Sequence, residues 1–356
     1  MNEVIKKERS FGLDLIRTLA IFLVMGSHFM EYSGFYGQIM DGEKVFLLTM
    51  LRCFVRICVP LFILLTGYLK CEKKLSKEYY NEIKTILITY FVVSIIMICF
   101  KRWYFHDDER LKDMILGIFN YTTIQYGWYV EMYIGLFLFI PFINILYKNI
   151  PDKKQKQILI LSLILICSIP QTLQVLFIDD TALDILPNWW GNTTYVLIYY
   201  LVGAYIREYK PVIKKKLNLL LIGIILFFEV FVIFYYCRGT TFGKVIPNGL
   251  NFNALPIVVI SILVFLLLYD LKCDKKSIKK FIKSISINSF TMYLLSAIID
   301  KVVCKNYVFI PTAGQILKNF FTILVFSFVI NFILSSILNF MIKILKRFIN
   351  RKVKVS

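Results

Sequence analysis

Only two of the 356 residues are histidine, His28 and His106, too few for a multi-histidine metal centre. The eight cysteines form no CxxC pair and fall mostly in apolar segments. That argues against a disulfide framework or a zinc cluster, and for small residues of a membrane core. No GxxxxGK phosphate loop, GxGxxG turn, GxSxG nucleophile elbow or HExxH pair occurs. Nucleotide-driven transport, a dinucleotide-binding enzyme and a zinc protease are therefore poor fits. Acidic residues are scarce, 23 against 42 basic ones, for a formal charge of +19. Their distribution makes that excess a matter of topology rather than a nucleic-acid footprint. No internal repeat and no linker is visible, so residues 1–356 read as a single membrane-embedded domain.

What the chain has in quantity is apolar surface. A 58% hydrophobic and 16% aromatic composition lies far above that of a soluble domain. Lys6, Lys7 and Arg9 ahead of an apolar run imitate a signal peptide, but no A-x-A cleavage pattern follows, and the run holds Asp14 and Arg17. A retained first transmembrane helix is expected. With ~20 apolar residues per span, ten helices are predicted near 11–30, 45–69, 83–103, 127–147, 158–178, 190–207, 217–237, 252–270, 285–304 and 314–342. The fold class is thus an all-α integral membrane protein, a bundle of about ten transmembrane helices. Alternate loops are rich in lysine: 29 of the 42 basic residues fall in one set, with Lys73, Lys154, Lys215 and Lys280 among them, and nine in the other. The Asp107-Asp108-Glu109 and Asp179-Asp180 runs lie in the second set. By the positive-inside rule both termini are cytoplasmic, in a multi-pass protein of the cell membrane.

Ionisable groups inside apolar spans are costly and mark candidate sites. The first span carries three: Asp14, Arg17 and His28. Over the eleven positions from Arg17 to His28 a helix turns about 1100° and rises about 16 Å, so both groups share one face. Asp14 is close enough to Arg17 for an i,i+3 ion pair. A snorkelling arginine and an interfacial histidine are the bland alternative, but two such residues need not align. In the second span Arg52 reads as an outer-interface anchor, whereas Arg56 lies deeper and could hold a phosphate or carboxylate. Glu131 and Glu229 either pair with a buried arginine or accept a proton. His106, in a charged outer loop, reads as a solvated surface residue.

Taken together, these residues resemble the membrane acyltransferase-3 family of polytopic acyltransferases. Asp14, Arg17 and His28 match its Arg-x10-His first helix, often preceded by Asp. The stretch VPLFILLTGYL at 59–69 is similar to its VPLFFxxSGYL segment, with Thr66 in place of Ser and Arg56 at a commonly basic position. WYVEMYIGLFLFIPF and YYLVGAYI are similar to its fourth and sixth helices, and INSFTMYLLSAI to its late S-x-x-x-Y-L-L-H segment. Two departures stand out. Ser296 replaces the late histidine, and the basic RxxR patch before the third helix is reduced to Lys77 and Lys84.

The resemblance implies transfer of an acyl group, often acetyl, from a cytoplasmic coenzyme A thioester to a hydroxyl of a glycan or a lipid-linked glycan. No tightly bound cofactor is implied, the acyl-CoA being a co-substrate, and the partners are the lipid bilayer and the acceptor, with no nucleic acid. His28 is the expected base or acyl-accepting group, since a neutral imidazole can do either near neutral pH. Arg17 is its electrostatic partner, facing an oxyanion or a phosphate, with Asp14 as orienter. Arg56 and Glu131 are candidates for binding substrate or donor. Acceptor specificity is expected in the outer loops near 101–126 and 178–192. Two other functions stay open: an exporter whose buried charges line a permeation path, and a catalytically silent membrane partner.

Overall fold

The computed structural model of the chain describes residues 9–176, 191–245, 252–307 and 312–352. It is helical throughout, and among the described residues the only extended pairings are two isolated bridges, Ile39 with Thr241 and Met40 with Arg238. The helices are α1 (Phe11–Tyr32), α2 (Gly42–Val55), α3 (Cys58–Lys70), α4 (Lys77–Asn81) and α5 (Ile83–Tyr104). Next come α6 (Leu111–Phe119), α7 (Trp128–Asn149), α8 (Lys153–Cys167), α9 (Ile169–Leu176) and α10 (Gly191–Tyr209). The last five are α11 (Lys215–Cys237), α12 (Phe242–Val245), α13 (Leu255–Leu268), α14 (Lys276–Tyr307) and α15 (Ala313–Lys352). Of the 178–192 stretch, residues 178–190 lie outside the described residues.

Each of the ten predicted spans overlaps a helix in its described residues, and among the described residues eight helical segments are long and apolar enough to cross a bilayer. The other two predicted spans correspond to α10 and to α13, a 14-residue apolar helix. Two spans expected to be continuous are broken. Pro60 and Pro170 cannot donate to the carbonyls of Arg56 and Ile166, and α2 gives way to α3, and α8 to α9, at those levels. Pro141, by contrast, sits inside an unbroken α7.

The bundle is organised around α1, which packs against α2, α3, α13, α14 and α15. Small residues permit the tightest contacts. A Cβ at Gly67 of α3 would lie 2.0 Å from the carbonyl oxygen of Tyr200, and one at Gly203 of α10 would lie 2.1 Å from that of Leu64. The two backbones therefore touch, as membrane helices with small interfacial residues do. Between α14 and α15 the adhesive is polar: Asn331 donates to the Met292 carbonyl at 2.8 Å, and Thr291 to Asn339 Oδ1 at 2.7 Å. Outward-facing Ile95, Phe139, Leu161, Phe228, Phe231 and Phe340 are exposed, an apolar surface suited to lipid.

The lysine-rich loops meet at one end. Lys70 and Lys73 both reach Glu82, at 2.7 and 2.5 Å, while Asn144 donates to the carbonyls of Lys70 and Lys73 at 2.8 Å. Lys156 pairs with Glu208 at 2.8 Å, and Tyr269 donates to the Pro211 carbonyl at 3.3 Å. At the other end, Tyr32 donates to Gln125 at 2.7 Å and Met40 N–H to the Thr240 carbonyl at 2.8 Å. The lysine-rich segments after α3, α7, α10 and α13 thus share one end of the bundle.

Candidate functional site

Near the basic face, Asp14 is buried on α1 beneath two guanidinium groups. Arg9 Nε donates to its Oδ1 at 2.6 Å, and Arg17 Nη1 lies 3.5 Å from the same oxygen. Ser286 of α14 closes the ring: its hydroxyl donates to Asp14 at 2.7 Å and accepts from Arg17 at 2.9 Å and Arg9 at 3.0 Å. A carboxylate shared in this way fixes the direction in which Arg17 extends. Arg17 remains partly exposed and lines a cavity of about 510 Å³. Lys70 and Lys343 add positive charge to that cavity. Thr66, Ser289 and Asn339 are among its polar wall residues, and Val24, Phe62, Leu65 and Ile287 among its apolar ones.

Toward the opposite face, one turn before α1 ends, stands His28. The helix stops at Ser33, and Gly34, at φ +74°, supplies the left-handed turn that reverses the chain. His28 is 7% exposed, and its Nδ1 lies 2.7 Å from Oδ2 of Asp300, itself 5% exposed. Tyr293, Ser296 and Asp300 follow one another at spacings of three and four on α14, which places them on one stripe. That stripe faces α1: Ser296 Oγ lies 3.5 Å from His28 Nδ1, and Asp300 makes the short contact. The position where the late histidine would stand is thus beside the first-helix imidazole. Tyr126, from the loop ahead of α7, stacks on the His28 ring with centroids 3.6 Å apart and directs its hydroxyl to Asp300 at 3.4 Å. Tyr293 holds that loop by donating to the Tyr126 carbonyl at 2.6 Å.

This arrangement biases the protonation of the ring. A carboxylate at hydrogen-bond distance from Nδ1 favours the tautomer protonated there, and leaves Nε2 with a free lone pair. His28 lines a second cavity of about 220 Å³ with Glu31, Arg56, Cys58, Tyr126, Trp128 and Phe252 among its walls. Arg56 lies over the Phe252 ring, 4.0 Å from its centroid. The break between α2 and α3 falls at this level, so Arg56, Cys58 and Val59 present themselves from an interrupted helix. Val24, Val59 and Tyr293 line both cavities. A shared three-residue partition therefore separates the chamber of Arg17 from the chamber of His28.

The predicted residues do not form one cluster. Asp14 orients Arg17, and they stand about 21 and 16 Å of helix from His28. Arg56 does join His28. Glu131 is exposed and lines a third space, a lateral groove between α7 and α10. Arg52 is buried: its Nε donates to Tyr36 at 2.5 Å and its guanidinium lies over Tyr36 and Phe242. Glu229 is buried, with neither oxygen hydrogen-bonded among the described residues. His106 is exposed in its loop. Among the described residues no group of three metal-ligating side chains gathers. Sequence reasoning missed Asp300 and Tyr126. An acid in the apolar run SAIIDKVV, four residues after Ser296, was a usable signal for the first; a loop tyrosine offers none.

A family model described as an acyltransferase domain matches residues 10–340. Neither a curated protein nor a solved structure matches the chain.

Proposed function

The chain belongs to the acyltransferase-3 family, and we propose that it is an O-acyltransferase that moves an acyl group, acetyl foremost, from a cytoplasmic acyl-CoA to a hydroxyl of a cell-surface or exported glycan. The observation that carries this reading is the partition shared by the two cavities, with a His–Asp pair immediately on one side of it. The larger cavity takes the donor. Its apolar wall suits the acyl-pantetheine arm, and Arg17, Lys70 and Lys343 suit the phosphates of a nucleotide left toward the basic face. With the RxxR patch reduced, these three cations take up its work.

The acceptor hydroxyl enters the smaller cavity and gives its proton to His28 Nε2 as its oxygen attacks the thioester carbonyl. The tetrahedral intermediate then expels the thiolate of coenzyme A, which takes the proton back from the imidazolium. Asp300 steadies that cation while it exists and keeps the ring in register. Arg17 stands too far from His28 to meet the oxyanion, so its role is to bind the donor. Arg56 and Glu31, which both line this cavity, orient the acceptor.

In membranes supplied with labelled acyl-CoA, His28→Ala lowers transfer by about 10²- to 10⁴-fold at normal protein level. Unchanged transfer overturns the reading. Flux of a glycan across the membrane without thioester consumption would point to export instead.

A further inference from the structure

The lateral groove that holds Glu131 measures about 630 Å³ and runs between α7 and α10. Its chemistry is graded. Glu131, Thr193 and Thr194 lie at the end near Trp128, while Met132, Leu136, Phe139 and Ile143 continue down one stripe of α7. Phe139 is 66% exposed, so the groove opens toward lipid. Below it the two helices close on each other, where Tyr200 donates to Asn144 at 2.7 Å. From Trp128 to Ile143 the groove follows about 22 Å of helix, more than the ~15 Å of hydrocarbon in one leaflet.

Trp128 lines this groove and also the cavity of His28. It stacks on Phe252, with centroids 5.7 Å apart, and Tyr195 stacks on Phe252 at 6.3 Å. Phe252 belongs to the His28 cavity and Tyr195 to the groove. The two spaces therefore meet at a stack of aromatic rings, Trp128, Phe252 and Tyr195.

We propose that the groove binds the hydrocarbon chain of a membrane-anchored acceptor, whose sugar headgroup passes the Trp128 wall to reach His28. The inference rests on the acyltransferase reading and narrows its acceptor to an amphiphile, in place of a free polymer. The gradient of the lining matches such a molecule, chain toward Ile143 and hydroxyls toward Glu131 and the threonines. Continuity with the His28 cavity distinguishes this groove from an ordinary lipid-facing crevice.

Gly135 provides the test, because a side chain built there meets nothing within 4 Å and would project into open space. Gly223 on α11 is equally open and serves as the control. Full-length protein in nanodiscs is photolysed with a β-glucoside bearing a diazirine-tipped hexadecyl chain, then digested and mapped. Labels are expected within 136–143, the chain end of the groove, in His28→Ala as in the parent, so the result stands apart from catalysis. Gly135→Trp is expected to lower this labelling, and transfer to the alkyl glucoside relative to glucose, by about tenfold, the effect of losing two buried methylenes. Gly223→Trp leaves both unchanged. Labels spread evenly over lipid-facing helices, or an alkyl-glucoside-to-glucose transfer ratio in Gly135→Trp unchanged from the parent, would overturn the proposal. Loss of transfer in His28→Ala with groove labelling absent sinks only the groove; labelling with no transfer in any form sinks only the enzyme reading.

Discussion

Asp300 decides what His28 can do. An imidazole buried without a partner could carry its proton on either nitrogen; a carboxylate 2.7 Å from Nδ1 makes one tautomer strongly preferred. Asp300→Asn keeps the shape and removes the charge. The amide can offer an N–H where the imidazole N–H needs an acceptor, turning the ring to the wrong tautomer. We predict a fall in kcat of about 10²- to 10⁴-fold with donor affinity nearly unchanged, because the cavity proposed for the donor begins on the far side of Val24, Val59 and Tyr293. Single-turnover transfer and equilibrium binding of labelled acyl-CoA separate the two quantities. Weakened binding at full kcat would show that Asp300 shapes the donor cavity instead. Of this pair only His28 was legible in the sequence, through the eleven-residue spacing from Arg17. Its partner lies 272 positions along the chain, and no periodicity links residues on different helices. Arg17 and Asp14 were read correctly as neighbours because three residues of helix decide that contact, whereas their relation to His28 depended on cavities that no spacing encodes.

Among the elements, α3 and α10 show how closely membrane helices depend on glycine. With no side chain at Gly67 or Gly203, each backbone comes within contact of the other, and a methyl at Gly203 would meet the Leu64 carbonyl at 2.1 Å. Backbone cannot yield as a flexible side chain does. Gly203→Val is therefore expected to separate the helices at a cost of about 1–3 kcal/mol, read as a lower thermal midpoint for purified protein. Gly223→Val on the lipid-facing side of α11 is expected to have no such effect, and equal midpoints for the two would refute the packing argument. Hydropathy revealed where these helices run, since a bilayer demands long apolar stretches whatever their neighbours. It did not reveal the breaks. Pro60 and Pro170 were visible, yet Pro141 is accommodated within α7, so proline alone does not say which helix is interrupted. The outcome depends on what neighbouring elements offer the freed carbonyl, which is tertiary information.

For the molecule as a whole, the proposed transfer takes its direction from the order of the two cavities along the bundle. Arg17, Lys70 and Lys343 lie toward the lysine-rich face and His28 toward the other, joined through one partition. This arrangement serves a cytoplasmic thioester only if the lysine-rich face is the cytoplasmic one. The loop contacts establish that the basic loops share a face, and the positive-inside rule says which face that is. Cysteines introduced at Lys73 and at Asp108 test it, each labelled with a membrane-impermeant maleimide in intact cells and again after permeabilisation. Position 108 should react in intact cells and position 73 only after permeabilisation, the native cysteines having been replaced by alanine or serine beforehand. The reverse pattern would turn the donor cavity away from the coenzyme A pool, and a His28-based transfer from a cytoplasmic donor could then not occur in this fold.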